Sequence, residues 1–477
     1  MYTRVHPWCP KAVNSPDKFA HIAALRPARR REPPPERVNE TPTEAIALGG
    51  RLADLLGARV RRNHYGEHLS IGQWYATPEV CSLDARSLSL LLPQTEDTAD
   101  LLATAMNPEQ WLFLDTETTG LAGGTGTYAF LVGIAWWDAG GLRVEQFFMR
   151  DLNEEHSLLL ELAERMAERR ALVTFNGKSF DWPLLETRYR MTRAIRPPTP
   201  KVHLDLLHPA RRIWRMRLGS VRLKDLERHV LGSDGRTLDW SRERDIDSSL
   251  IPQFYFDFLR GGPAEPLAGV IRHNQMDLRG LAALAGTLFA LLDTGNGIAD
   301  SQPPDARDPI EVLGLSRLLR SRGRSGRARE LYEAALRGGL PRQAQSLAQS
   351  ELALLAKRDA DYSRATSLWD ELRTFPKAPK SKLASLTLEE DRKNLITSIQ
   401  AAEQLAIHYE RREKSPAAAA ELVRAAIANL RDAQKSRRIE SSRAAKLETR
   451  LAHRLQRLER RASPRKPPKL FAAGSSS

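Results

Sequence analysis

The sequence predicts an α/β layer domain followed by an all-α region of repeated helical hairpins. Between residues 108 and 295, apolar runs of strand length alternate with segments whose apolar residues recur at helical spacing, the pattern of a sheet layered with helices. From 310 to 462 nearly everything reads as helix, and one pattern returns. Ala328, Leu331, Tyr332 and Ala335 recur 37 residues later as Ala365, Leu368, Trp369 and Leu372, then again as Ala419, Leu422, Val423 and Ala426.

Composition bounds the function. With 477 residues the chain is too long for one core. Its 41% hydrophobic and 28% charged residues exclude a wholly disordered, collagen-like or multi-span membrane protein. The longest strongly apolar run, Leu281 to Leu292, is about half the length of a membrane-spanning helix and reads as core. Met1 to Pro10 has no apolar stretch of signal-peptide length, so a cytoplasmic location with no membrane partner is expected. Two cysteines, Cys9 and Cys81, build neither a disulfide framework nor a paired-cysteine zinc module. Any metal must therefore be held by oxygen ligands or histidine. The net charge of +14 suggests a polyanionic partner such as nucleic acid, and residues 401–477 hold 18 Lys/Arg against 8 Asp/Glu. Solvated helix faces are the competing account of that excess.

The elements follow in order. Residues 1–43, with Arg29 to Arg31 and Pro33 to Pro35, read as a basic, proline-rich disordered arm. Residues 44–107 read as a small α+β extension, with Ala58 to Tyr65 and His68 to Tyr75 alternating like a hairpin. In the α/β domain, 108–295, Trp111 to Thr116, Tyr128 to Trp137 and Gly141 to Met149 read as an antiparallel meander, its second turn at Asp138 to Gly141. A helix over His156 to Arg169 leads to a fourth strand, Ala171 to Phe175. Its exit at Asn176-Gly177 puts polar residues at a strand end, where open α/β sheets bind ligands. The repeats, 310–462, resemble tetratricopeptide hairpins and imply a protein partner. Residues 463–477 read as a basic disordered tail that adds phosphate contacts.

Asp115 and Glu117 lie two apart at a strand end, so their carboxylates share a face and repel unless a cation sits between them. That favours a hard metal such as Mg²⁺ or Mn²⁺. The string Leu114-Asp115-Thr116-Glu117-Thr118-Thr119-Gly120-Leu121 resembles the first motif of the DEDD exonucleases, in the RNase H-like superfamily. Asn176, followed by Asp181 at a strand-to-helix transition, supplies the second motif, and His273-Asn274-Gln275-Met276-Asp277 the third, with His273 and Asp277 one helical turn apart. The resemblance covers about 110–292 and is closest to the bacterial YprB-like branch, judged also from Gly123 to Thr127, Leu223 to Gly232 and Tyr255 to Arg260.

This resemblance implies an RNase H-like mixed sheet flanked by helices. It also implies that Asp115, Glu117, Asp181 and Asp277 bind two Mg²⁺ or Mn²⁺ ions for phosphodiester hydrolysis from a 3′ end of DNA or RNA. His273 is the expected general base or water-orienting group. The chain departs from the family here, where a tyrosine stands four residues before the last Asp or a histidine five before it; this sequence has histidine at the tyrosine spacing and Arg272 at the other. Thr118, Asn176 and Lys178 are candidate substrate contacts; Asn176 serves equally to cap its turn and Lys178 to carry a solvated charge. His203-Leu204-Asp205 is a fourth polar spot near the same sheet edge, read as serving a structural hydrogen bond, and the Gly123 to Gly126 loop lacks the ending of a P-loop. The alternative function is a catalytically inactive nucleic-acid-binding scaffold that works through its repeats.

Overall fold

The computed structural model describes residues 52–76, 107–120, 125–232, 242, 245–292, 307–374 and 384–463, with Leu91 and Thr104, and the backbone alone at 108 and 384–391. The arm at 1–43, Gly123, Gly124 and all of the basic tail except Ser463 lie outside the described residues.

Strand β3 (Trp111–Thr118) explains the layering. Its first four residues are apolar and fully buried, and its last four are polar and only partly buried, so the strand leaves the core midway along its length. The period of two sends Trp111 and Phe113 to one face and Leu112 and Leu114 to the other. Among the described residues seven strands form the sheet, β1 (Arg59–Asn63), β2 (Gly66–Ala76), β3, β4 (Ala129–Asp138), β5 (Gly141–Phe148), β6 (Ala171–Thr174) and β7 (Val202–Asp205), in the order β1-β2-β5-β4-β3-β6-β7. The stretch β3-β4-β5 is the antiparallel meander the sequence predicts. Asp138 pairs with Gly141, and Ala139 and Gly140 between them have φ of 48° and 81°, the doubly left-handed turn whose twist suits a two-residue hairpin. The β1–β2 hairpin, read from the sequence as part of a separate extension, continues this sheet, with β2 paired to β5 from Leu69↔Phe148 to Ala76↔Gly141. Strands β6 and β7 add in parallel beyond β3, and β7 carries His203 and Asp205.

Helices α1 (Glu155–Glu168) and α2 (Asp181–Thr192) cover the face of Leu112 and Leu114, joined by α4 (Ile251–Leu259). Helix α3 (Leu207–Leu218) and the C-terminal half of α5 (Glu265–Leu292) cover the other face, where the Phe289 ring lies 4.8 Å from Trp111. Helix α5 is long and apolar enough to cross a membrane by composition, but more than half of its apolar window is buried inside the protein.

Among the described residues seven helices follow: α6 (Pro309–Ser321), α7 (Ser325–Arg337), α8 (Arg342–Arg358), α9 (Tyr362–Thr374), α10 (Ala384–Arg411), α11 (Pro416–Lys435) and α12 (Ser441–Ala462). The three recurring patterns fall on α7, α9 and α11, each the second helix of a packed pair. Helix α6 is seated directly on α3. Gly314 meets the backbone of Arg212 and Ile213 so closely that a Cβ there would clash. Glu311 accepts hydrogen bonds from Trp214 Nε1 at 3.1 Å and Arg217 Nη1 at 3.0 Å. One apolar cluster consequently runs unbroken from the sheet through α6 to α9 and on to Ala401 and Leu405 of α10, while α10 to α12 share a second. Part of the basic excess in this region is internally paired: Glu410, itself buried, receives Arg457 and Arg461, and Glu403 receives Arg450.

Candidate active site

The site forms where β3 leaves the core. Asp115 points to the α5 side, as its register with Trp111 and Phe113 requires, and Glu117 follows on the same face. Asp115 Oδ2 accepts a hydrogen bond from Asn274 Nδ2 at 2.8 Å. Asn274 is fully buried, and its Oδ1 accepts from Gln146 Nε2 of β5 at 2.7 Å, which leaves its Nδ2 for Asp115. Gln146 also donates to the Ile271 carbonyl and accepts from Gln275 Nε2 at 2.9 Å. The α5 backbone, the sheet and Asp115 are therefore tied by one amide relay.

Asp181 enters from the opposite side. Thr116, between the two acidic residues of β3, faces the α2 layer and donates through Oγ1 to Asp181 Oδ1 at 2.6 Å. Asp181 opens α2, and the loop before it is set by Asp205. That carboxylate accepts from the backbone N–H of Asn176 at 2.8 Å, Lys178 at 3.1 Å and Leu207 at 3.0 Å. Asn176 has φ of 68°, a left-handed conformation that asparagine tolerates, so its backbone helps turn the chain towards Asp181. His203 hydrogen-bonds Thr174 at 2.9 Å, and burial with the nearby Lys178 charge lowers its pKa to about 4. The Lys178 side chain is exposed, and Thr118 donates to the Gly120 carbonyl at 3.0 Å.

Helix α5 supplies the rest. His273 Nε2 lies 4.0 Å from Glu117 Oε1 and 3.6 Å from Asp277 Oδ2, and these three side chains form a group whose donor atoms lie within 4.8 Å of one another. A segment absent from the sequence-based site joins them. Arg242 is almost fully buried and contacts Asp277 Oδ1 at 2.6 Å, Glu227 Oε1 at 2.5 Å and Asp245 Oδ2 at 3.3 Å. Asp245 in turn lies 2.7 Å, through Oδ1, from His273 Nδ1. Glu227 reaches Arg242 over Gly280, where any Cβ would strike its carboxylate.

Proximity leaves a clear electrostatic mark. Burial, then the charges of Asp277, Asp181 and Glu117, raise Asp115 well above the usual carboxylate range against the opposing Asn274 hydrogen bond. Burial and the charges of Asp277, Asp181 and Asp245 do the same to Glu117. Burial raises Asp181 despite the Thr116 hydrogen bond, and pushes Glu227 up to about 8 despite Arg242. Asp245 goes the other way: burial would raise it, but the His273 hydrogen bond and Arg242 hold it below its ordinary value.

The structure thus brings Asp115, Glu117, Asp181, His273 and Asp277 to one strand end, with Asn176 in the adjoining loop. A group of repelling, partly buried carboxylates with one imidazole suits hard divalent cations, whose binding would relieve the repulsion that raises these pKa values. Sequence reading missed Asn274, although it sits inside the quoted His273 to Asp277 string, because an amide beside a histidine carries no signal until its partner is known. Glu227 sits inside the Leu223 to Gly232 string but was given no role there, and Arg242 and Asp245 had no local signal at all.

Residues 112–289 match the RNase_H_2 family, described as RNase_H superfamily. The chain is also 30% identical over 273 residues to the uncharacterized protein YprB of Bacillus subtilis (strain 168). That alignment covers 57% of this chain and 62% of the relative, less than two thirds of its length. The α/β portion accordingly has an RNase H-like fold, a mixed sheet flanked by helices, followed by an all-helical region.

Proposed function

We propose that the α/β portion is a metal-dependent nuclease of the DEDD type, a 3′–5′ exonuclease on DNA or RNA, and that the helical repeats recruit a protein partner. The convergence of the acidic groups of β3, α2 and α5 on one strand end is the observation that carries this reading. Asp115, Glu117, Asp181 and Asp277 would hold two Mg²⁺ or Mn²⁺ ions. Such ions, when bound, neutralise the scissile phosphate and the departing 3′ oxygen during in-line displacement.

The chain's own groups do the remainder. Asn274 and Thr116 hold two carboxylates in fixed orientation, so no rearrangement is needed as charge develops. Arg242 occupies Asp277 Oδ1 and leaves Oδ2 facing the site. His273 Nε2 would be the acceptor for the proton of the attacking water, and Asn176 and the exposed Lys178, in the loop before Asp181, would contact sugar or phosphate. The test is a panel of end-labelled DNA and RNA oligonucleotides with Mn²⁺ or Mg²⁺ and a chelator control. Stepwise shortening from the 3′ end, lost in Asp115→Ala and Asp277→Ala, is expected; intact substrates throughout would refute the reading.

The Arg242–Asp277 contact favours a second reading, since a site that carries its own cation suits a scaffold without activity. Metal-dependent thermal stabilisation that vanishes in Asp115→Asn separates the two.

A further inference from the structure

The segment that delivers Arg242 and Asp245 has no counterpart among the three acidic motifs, yet both residues reach ionisable groups of α5 one turn apart, Asp277 and His273. We infer that Asp245 is a positioning residue that fixes the His273 ring by accepting a hydrogen bond from Nδ1–H, so that Nε2 is presented as a bare acceptor to the space between Glu117 and Asp277. This rests on the nuclease reading for its consequence, though not for its geometry.

Three observations support it. The Asp245 Oδ1 to His273 Nδ1 distance is 2.7 Å, which a charge-assisted N–H to carboxylate bond produces. The Asp245 side chain is only 8% exposed and is itself held by Arg242, so it has little freedom to swing away. On the other side of the ring, the neighbours of Nε2 at 3.6 Å and 4.0 Å are carboxylate oxygens, which accept and do not donate, so among the described residues no hydrogen bond to Nε2 occupies its lone pair. A carboxylate can only accept; the proton must sit on Nδ1, and the neutral ring therefore carries its lone pair on Nε2. The groups facing the ring are Asp245, Glu117 and Asp277, with Arg242 behind two of them. Without Asp245, the ring can rotate or adopt the other tautomer, and either change turns an N–H towards the place where water must give up a proton.

Two measurements test this. In protein labelled with ¹⁵N-histidine, with the His273 signals identified by their loss in His273→Gln, the wild type should show the Nδ1–H tautomer and Asp245→Ala a mixture of tautomers. This readout needs no substrate, so its outcome stands even if the chain cleaves nothing. An Nε2–H tautomer in the wild type, or an unchanged ring in Asp245→Ala, would overturn the inference. On a labelled oligonucleotide with Mn²⁺, Asp245→Ala should lower kcat by ~10- to 100-fold with KM within about twofold, the usual cost of losing the group that orients a working imidazole. Asp245→Asn, whose single acceptor oxygen cannot serve both Arg242 and His273 Nδ1–H and whose NH2 would donate to Nδ1, should stay as slow as Asp245→Ala and shift the ring towards the Nε2–H tautomer. Asp245→Ala combined with His273→Gln should be no slower than His273→Gln alone, because Asp245 acts through His273. Additive losses would overturn the inference by showing that Asp245 serves the fold instead.

Discussion

Gly133 lies directly across from Asp115 in the β3–β4 ladder, and the space its missing side chain leaves is filled by the carboxamide of Asn274. A Cβ at this position would collide with Asn274 Oδ1 and come within 2.7 Å of Leu278. One glycine in the sheet therefore sets how closely α5 approaches the strand that carries the first two acidic groups.

Gly133→Ala is expected to push Asn274 off Asp115 and to cost about 1–3 kcal/mol of stability through overpacking. Chemical denaturation measures the cost, and cleavage of a labelled oligonucleotide should fall with it. An alanine variant as stable as the wild type would mean that the helix shifts freely.

Asp115→Asn should make the metal-free protein more stable, by roughly 1 kcal/mol, because it removes one charge from a cluster that raises its own pKa values. Asparagine keeps an oxygen for Asn274. A melting temperature in chelator that rises, together with loss of the divalent-ion shift, is the expected pair of results; a fall in chelator would show that the repulsion is already relieved.

His68 is wholly buried in β2, hydrogen-bonded through Nδ1 to Ser157 at 2.9 Å, and its Nε2 has no partner among the described residues. Burial, with Arg61 and Arg150 nearby, lowers its pKa to about 4. The folded state holds the neutral ring, so this contribution is complete above the unfolded value of about 6.5 and drains away as the pH falls from there towards 4, reaching at most about 3 kcal/mol. Denaturant titrations between pH 7 and 4.5 should show a shallower decline for His68→Gln than for the wild type.

Gly314→Val should lever α6 off α3, since the substituted side chain would meet the backbone of Ile213. Wild type is expected to unfold the sheet and α6 to α9 as one cooperative unit; calorimetry of the variant should show two transitions or a single one lowered by several degrees. A wild type that already melts in two steps across this junction would contradict the continuous core.

How much was legible follows from where each signal resides. The meander was readable because alternation and an Ala139-Gly140 turn are local, and so was the acidic set, because each of its members sits within a short string. Strand β7 escaped because Val202 to Asp205 is four residues long and offers almost no periodicity. Arg242 and Asp245 escaped, and Glu227 went without a role inside the quoted Leu223 to Gly232 string, because a buried ion pair is defined by its partner in space and a charge read from sequence looks the same whether paired or solvated. The β1–β2 hairpin looked self-contained because the strand it pairs with, β5, begins some 65 residues later in the chain.

The seat of α6 on α3 also decides how the molecule can be divided. A fragment ending near residue 295 would bare the Ile213 and Trp214 side of α3 to water, and such a fragment would tend to clump or to need a substitute lid. The α/β half and the helical hairpins are better regarded as one inheritable part, because the shared apolar packing continues past α9 to Ala401 and Leu405 of α10, and natural or laboratory shuffling that cut the chain between α9 and α10 would open apolar surface there too.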